Sequence, residues 1–266
     1  MLKKLAAVVL CLGAYSTFWP WTAAAEEAPA DSANSRSADT IQEDIKIINS
    51  YFDPVTGEPL PPKIPAPPGA KPLPKPDVVW VDTTQKLVYA DGYVALRRGM
   101  LEMFACPVGT KEHESVVALF TRAQTIHAAL LAVGAEVGHP ASFRPKFRPA
   151  AGTVIEIEVR WQDAEKNRKQ ARAQDWIKDL QTGKLMTHPW VFAGSGFWKD
   201  EETGQEYYKA ESGDLVCVSN FSTATLDLPV ESSQVNDGLT FEANTEQIPR
   251  LGTPVRLVFK PVIKKP

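Results

Sequence analysis

Thr153-Val154-Ile155-Glu156-Ile157-Glu158-Val159-Arg160-Trp161 is the stretch that decides the fold. Ile155, Ile157, Val159 and Trp161 alternate with Glu156, Glu158 and Arg160. Successive side chains of a strand point to opposite faces, so this segment buries one face and wets the other. One-sided strands belong to antiparallel sheets, because a parallel sheet is covered on both faces and its strands read as unbroken apolar runs. A largely antiparallel sheet is therefore expected. Residues 78–82, 86–96, 101–105, 116–120, 190–193, 239–243 and 255–262 are rich in β-branched and aromatic residues and read as further strands. Asp91-Gly92 marks a hairpin or a bulge. Ser212-Gly213-Asp214 reads as the turn of a hairpin between residues 206–209 and 215–221. Residues 171–180 fit either strand or helix, and no sequence repeat is found.

Thr121-Arg122-Ala123-Gln124 has the Thr-x-x-Gln form of a capping box. Ala123, Ile126, Leu130 and Val133 then share one face, and Gly134 stands where a left-handed residue ends a helix. The expected class is α+β: a largely antiparallel β-sheet with one well-capped helix packed on it, as a single domain over residues 78–264.

Residues 1–25 have the build of an export signal. Lys3-Lys4 are followed by a short apolar run over residues 5–14 and by a small-residue cleavage site at Ala23-Ala24-Ala25. Ser16, Thr17 and Pro20 interrupt the apolar run, which argues against a retained anchor. A large Leu10 before Cys11 argues against lipidation. The expected location is periplasmic or secreted, with no membrane span after cleavage. Losing Lys3 and Lys4 takes the formal charge from −3 to −5, a mild value without the basic footprint of a nucleic-acid partner.

Residues 26–40 hold almost no large apolar side chain and are expected to be disordered. Ile41, Ile45, Ile48 and Phe52 form one stripe, which predicts a short helix over residues 41–52. Residues 54–76 are a proline tract with recurring lysines. Proline fixes φ and removes the backbone donor, so the tract reads as an extended, semi-rigid spacer. Its functional reading is a stand-off arm or a ligand for a partner groove.

The chemistry concentrates at Leu101-Glu102-Met103-Phe104-Ala105-Cys106-Pro107-Val108-Gly109-Thr110-Lys111-Glu112-His113-Glu114-Ser115. An apolar strand delivers a thiol, an imidazole, carboxylates and an amine to one loop, and loops held by a rigid scaffold carry function. Cys106, His113, Glu114 and His127 are the candidate metal ligands, for a transition metal such as zinc or copper. Val117 occupies the place of the second histidine of a zincin helix, so that motif is absent. The competing reading is a loop tied down by its own hydrogen bonds. The chain has three cysteines. Cys11 leaves with the signal, and Cys106 and Cys217 cannot ligate a four-cysteine iron–sulfur cluster. They either form one disulfide or remain two buried thiols.

Three weaker candidates stand elsewhere. Gly194-Ser195-Gly196 follows a strand but lacks the Gly-x-Ser-x-Gly pattern of a nucleophile elbow. Residues 142–148 form a basic, aromatic loop suited to an anion. Trp190, Phe192, Phe197, Trp198, Tyr207 and Tyr208 supply rings for either a core or a recognition surface.

Three blocks carry a resemblance. Residues 106–115, then His127-Ala128-Ala129-Leu130-Leu131 with Gly134-Ala135, and Trp190-Val191-Phe192-Ala193-Gly194-Ser195 resemble the YdjY-like family of exported bacterial proteins, over residues 78–233. The family brings no established activity. Some members are labelled ferredoxin-like, a label that two thiols do not suit. The leading expectation is an exported, non-enzymatic cell-envelope module that binds a small ligand or an envelope protein, its main pocket lying around Cys106–His127. The alternative is a metal- or redox-linked protein using Cys106 and His113.

Overall fold

The computed structural model describes residues 38–232 and 240–263. The export signal, Cys11 and residues 26–37 lie outside the described residues. The described chain forms one unit from Ala38 onward.

Eight strands make a closed ring. In chain order they are β1 Leu87–Val94, β2 Met103–Pro107, β3 Ser115–Leu119, β4 Val154–Gln162, β5 Trp190–Phe192, β6 Val216–Cys217, β7 Leu226–Asp227 and β8 Pro254–Pro261. Around the ring the order is β1-β8-β4-β5-β7-β6-β2-β3, and β3 pairs back onto β1. The β2–β3 and β6–β7 seams are parallel and the other seams are antiparallel. The α+β expectation, a sheet with one helix laid on it, is thereby corrected. Among the described residues the protein is mostly β, a closed eight-stranded barrel with extra strands and two α-helices.

Closure rests on β1. On one edge, Leu87–Ala90 pair with the outer strand Val79–Asp82, while Gly92, Tyr93 and Val94 pair with Leu119, Ala118 and Val117 of β3. The same edge therefore serves two partners, with Asp91 at the changeover. Asp91-Gly92 was expected to mark a hairpin or bulge, but it sits inside a strand. A Cβ on Gly92 would stand 2.1 Å from the Ala118 carbonyl oxygen, so the residue is glycine because two backbones approach there.

Large rings fill the barrel. Phe104 packs on Trp190 with centroids 5.6 Å apart and on Trp176 at 6.4 Å. Ile155, Ile157, Val159, Leu257 and Phe259 join the same core. Arg256 alternates with the core residues Val255 and Leu257 and so projects from the outer face of β8. It donates to Asp91 on β1 at 2.6 and 2.8 Å and to the Pro65 carbonyl at 2.8 Å, and it lies over the Trp80 ring. The proline tract is thus held against the barrel wall. Lys71–Pro72 continue it as a short strand beside Trp80 and Val81.

Helix α1 spans Ala38–Asn49. Its buried side is Asp44, Ile47, Ile48 and Tyr51, with Ile45 exposed, so the docking face is rotated from the expected isoleucine stripe. Asp44 pairs with Arg250 and the Tyr51 hydroxyl donates to the Gly252 carbonyl, and these polar anchors set the rotation.

Helix α2 spans Ala123–Ala132 and buries Ala123, Ile126, Ala129 and Leu130. The expected capping box does not form. The first free N–H groups of a helix attract a carboxylate, and here Glu211 accepts from Ala123 and Gln124 while Asp77 accepts from Arg122. Gly134, at φ +89°, ends the helix as expected.

Asp53, Asp179 and Asp200 each open an Asp-x-x-Thr-Gly turn. In each, the aspartate Oδ1 accepts the N–H groups two and three residues on, at 2.7–3.1 Å. The glycines sit at φ +72°, +66° and +70°, the left-handed region. The turn at Asp200 joins Phe197–Lys199 to Glu206–Tyr208, an antiparallel hairpin outside the barrel. Residues 206–208 therefore pair backward in the chain, not with residues 215–221 as the sequence suggested.

Candidate functional site

The four candidate metal ligands find different partners. Cys106 ends β2 inside the barrel wall. Burial pushes its thiol up to about 11, with the Ser115 and Thr110 hydroxyls as neighbours. The His113 side chain is 76% exposed and lies 3.8 Å from Glu114. Glu114 turns toward Lys111, at 3.5 Å. His127 lies on α2 with Nδ1 3.0 Å from the Tyr208 hydroxyl. Among the described residues, no group of three or more His, Cys, Asp or Glu side chains is arranged to hold a metal ion. Cys106 and Cys217 are both buried and unpaired.

The loop after β2 is instead closed by its own polar groups. Thr110 donates to the Pro107 carbonyl at 2.6 Å, and the Glu112 carboxylate accepts the Gly109 N–H. Lys111 is the centre of a cluster that sequence reading did not assemble. Its Nζ stands 3.1 Å from Asp214, 3.5 Å from Glu114 and 3.8 Å from Glu102, and lies 4.5 Å from the centroid of the Phe221 ring. Ser212 and Thr223 donate to the second Asp214 oxygen. Gly213, at φ +126°, lets the lysine stem lie flat, since a Cβ there would meet Lys111 Cγ at 2.6 Å. Burial pulls the Lys111 pKa down, but the carboxylates, Asp214 foremost, outweigh it and hold the amine charged. Burial, then the Glu114 charge, push Glu102 above the usual carboxylate range.

A second constellation gathers at the ends of β5 and β7. The Tyr208 hydroxyl bonds the Gly194 carbonyl at 3.2 Å and lies 3.0 Å from Thr225 Oγ1. His127 packs edge-on against Phe192 and Tyr208. Burial holds its pKa below the usual value. Ser195, at φ +52°, gives its hydroxyl proton to the Thr223 carbonyl at 2.6 Å, so it fixes the bend that follows β5. Gly194 is required beside it, because a Cβ would fall 1.9 Å from Val137 Cγ2.

From this floor the aromatic hairpin projects. Phe197 packs on Tyr208 with centroids 5.2 Å apart. Trp198 and Tyr207 are direct cross-strand partners, stacked at 4.9 Å and 19°. Phe197, Trp198 and Tyr207 are 51%, 48% and 38% exposed, whereas Trp190, Phe192 and Tyr208 are buried. Side chains on paired strands are held more rigidly than on a loop, so the stack is a preformed apolar platform. The sequence named these rings without separating core from surface, since the split depends on the non-local fold.

The closed barrel with an outer aromatic hairpin defines a β-barrel class of domain with a surface platform. The family model for the YdjY domain matches residues 79–260, and the chain belongs to that family, whose function is uncharacterised. No curated protein and no solved structure matches the chain.

Proposed function

We propose that the protein is an exported cell-envelope binding module whose contact surface is the platform of Trp198 and Tyr207. The observation that carries this reading is the exposed Trp198–Tyr207 stack. Large rings left in water on a rigid hairpin cost hydration free energy, and such patches commonly mark recognition sites. The half-buried His127, against buried Tyr208, fixes the root of the hairpin, and two of the blocks that carry the family resemblance supply that root. The Cys106 loop supports the barrel and the Lys111 cluster in this reading, so the contact surface is centred on His127 and the hairpin. The export signal expected at residues 1–25 supports an envelope location in this reading. Among the described residues, no helix is long and apolar enough to cross a membrane.

The test is retention by the envelope. The mature protein is mixed with washed envelope fractions and sedimented, beside the Trp198→Ala/Tyr207→Ala double variant. The reading expects the parent to co-sediment saturably and the variant to stay in solution with an unchanged melting temperature. Equal sedimentation of both proteins would remove the platform from the function.

A further inference from the structure

The Lys111 cluster holds an amine, a buried carboxyl and a second acid in one half-enclosed niche. We propose that Lys111 and Asp214 condense into an intramolecular isopeptide bond, with Glu102 carrying the proton. The strand framework provides the positioning. Glu102 immediately precedes β2, Asp214 lies just before β6, and β2 and β6 are paired through Ala105–Val216 and Met103–Cys217. Lys111 sits on the loop that leaves β2. The amine and the carboxyl are thereby held at 3.1 Å by adjacent strands, the kind of fixed approach that replaces a bimolecular encounter. Gly213 and the Phe221 ring line the lysine stem and exclude water from one side. The Asp214 side chain is only 5% exposed.

The chemistry balances without any further reagent. The Lys111 ammonium passes a proton to the Glu102 carboxylate, and the neutral amine attacks Asp214 Cγ. The new N–C bond forms and the nitrogen loses its second proton to the departing oxygen. Glu102 returns the first proton to that same oxygen, the Cγ–O bond breaks, and water leaves. An ammonium and a carboxylate become an amide and one water, and Glu102 ends as it began. The elevated Glu102 carboxyl suits a proton carrier. The carboxylates hold Lys111 in the ammonium form, so the amine must hand a proton to Glu102 before it attacks. The product would staple the loop after β2 to the entrance of β6, in a barrel whose two buried thiols are unpaired.

The test is the intact mass of the mature protein, recovered from the envelope after export and measured denatured. Condensation removes one water, a loss of about 18 Da, and a digest yields one branched peptide joining residues 111 and 214. Lys111→Arg should restore the full mass. Asp214→Asn should condense with loss of ammonia, about 17 Da. Glu102→Gln should fold with an unchanged circular dichroism spectrum while its uncondensed fraction rises. A full-mass parent protein overturns the proposal, and so does a water loss that survives in Lys111→Arg, which would mark ring closure at Asp214 alone.

Discussion

His127 Nδ1 lies 3.0 Å from the hydroxyl of Tyr208, 81 residues further along the chain. This contact joins α2 to the root of the aromatic hairpin. Burial disfavours the imidazolium, so the folded pKa falls below the ordinary 6.5. With a depressed folded pKa, the contribution to stability is present above 6.5 and is lost as pH falls through the folded value. A proton-NMR titration should find the His127 ring neutral in the folded protein at a pH where the same ring is already charged in the urea-unfolded chain. His127→Gln should remove the corresponding acid-side loss of melting temperature. Identical titration of the ring in the folded and unfolded chains would contradict the packing described.

Asp227 behaves in the opposite sense. Its carboxyl is enclosed at the barrel wall, with Asn220 and the Leu228 N–H donating to Oδ1 at 3.1 and 2.7 Å. Burial, more than these bonds relieve, pushes it up to about 7 from 3.8. A raised folded pKa contributes stability that is fully present below 3.8 and is lost as pH rises through about 7. Between these two values the slope approaches about 1.4 kcal/mol per unit, and above about 7 it vanishes because both states are ionised. Asp227→Asn should flatten the fall in stability between about pH 4 and pH 7, measured by urea unfolding. An unchanged slope would assign the effect to another group.

Arg256 anchors the proline tract. Arg256→Ala leaves Asp91 buried without its partner, a change that costs about 3–5 kcal/mol, and it also frees the Pro65 carbonyl. Urea unfolding should register the loss. Limited proteolysis should open residues 58–70 in the variant before the barrel is cut. Cleavage of that tract at the same rate in both proteins would show that Arg256 does not hold it.

Gly92 and Glu211 test closure and capping. Gly92→Ala forces a methyl against the Ala118 backbone, and overpacking of this kind costs about 1–3 kcal/mol or more. Gly57→Ala meets no neighbouring atom within 4 Å and pays only for its φ of +72°. Glu211→Ala should lower stability by about 1 kcal/mol through the lost cap. Thr121→Val should cost less, since its hydroxyl does not cap the helix. Thermal melts rank the four variants, and a larger loss for Gly57→Ala than for Gly92→Ala would contradict the seam.

What the sequence revealed was local. Ile155, Ile157 and Val159 alternate with polar residues, and that period announces a strand without a partner in view. Gly134 ends its helix by its own conformational freedom. The Asp-x-x-Thr-Gly turns at Asp53, Asp179 and Asp200 are local in the same way, since each aspartate bonds within its own turn. Barrel closure was not legible, because it depends on Gly92 meeting Ala118 with the whole of β2 between them in the chain. The cap of α2 comes from Glu211 and Asp77, which no local motif announces. The candidate site followed the same division. Cys106 and His113 are neighbours in sequence, yet one side chain enters the wall and the other enters solvent. Lys111 and Asp214 are distant in sequence and meet because β2 and β6 pair.

The central claim is that the Trp198–Tyr207 face meets an envelope component. In-cell photo-crosslinking tests it most directly, with a photoreactive residue replacing Trp198 and, as a control, the fully exposed Val55. The account predicts one discrete adduct from position 198, lost when Tyr207 is also changed to alanine, and none from position 55. Adducts of equal yield from both positions, or none from position 198 in a correctly exported protein, would contradict it.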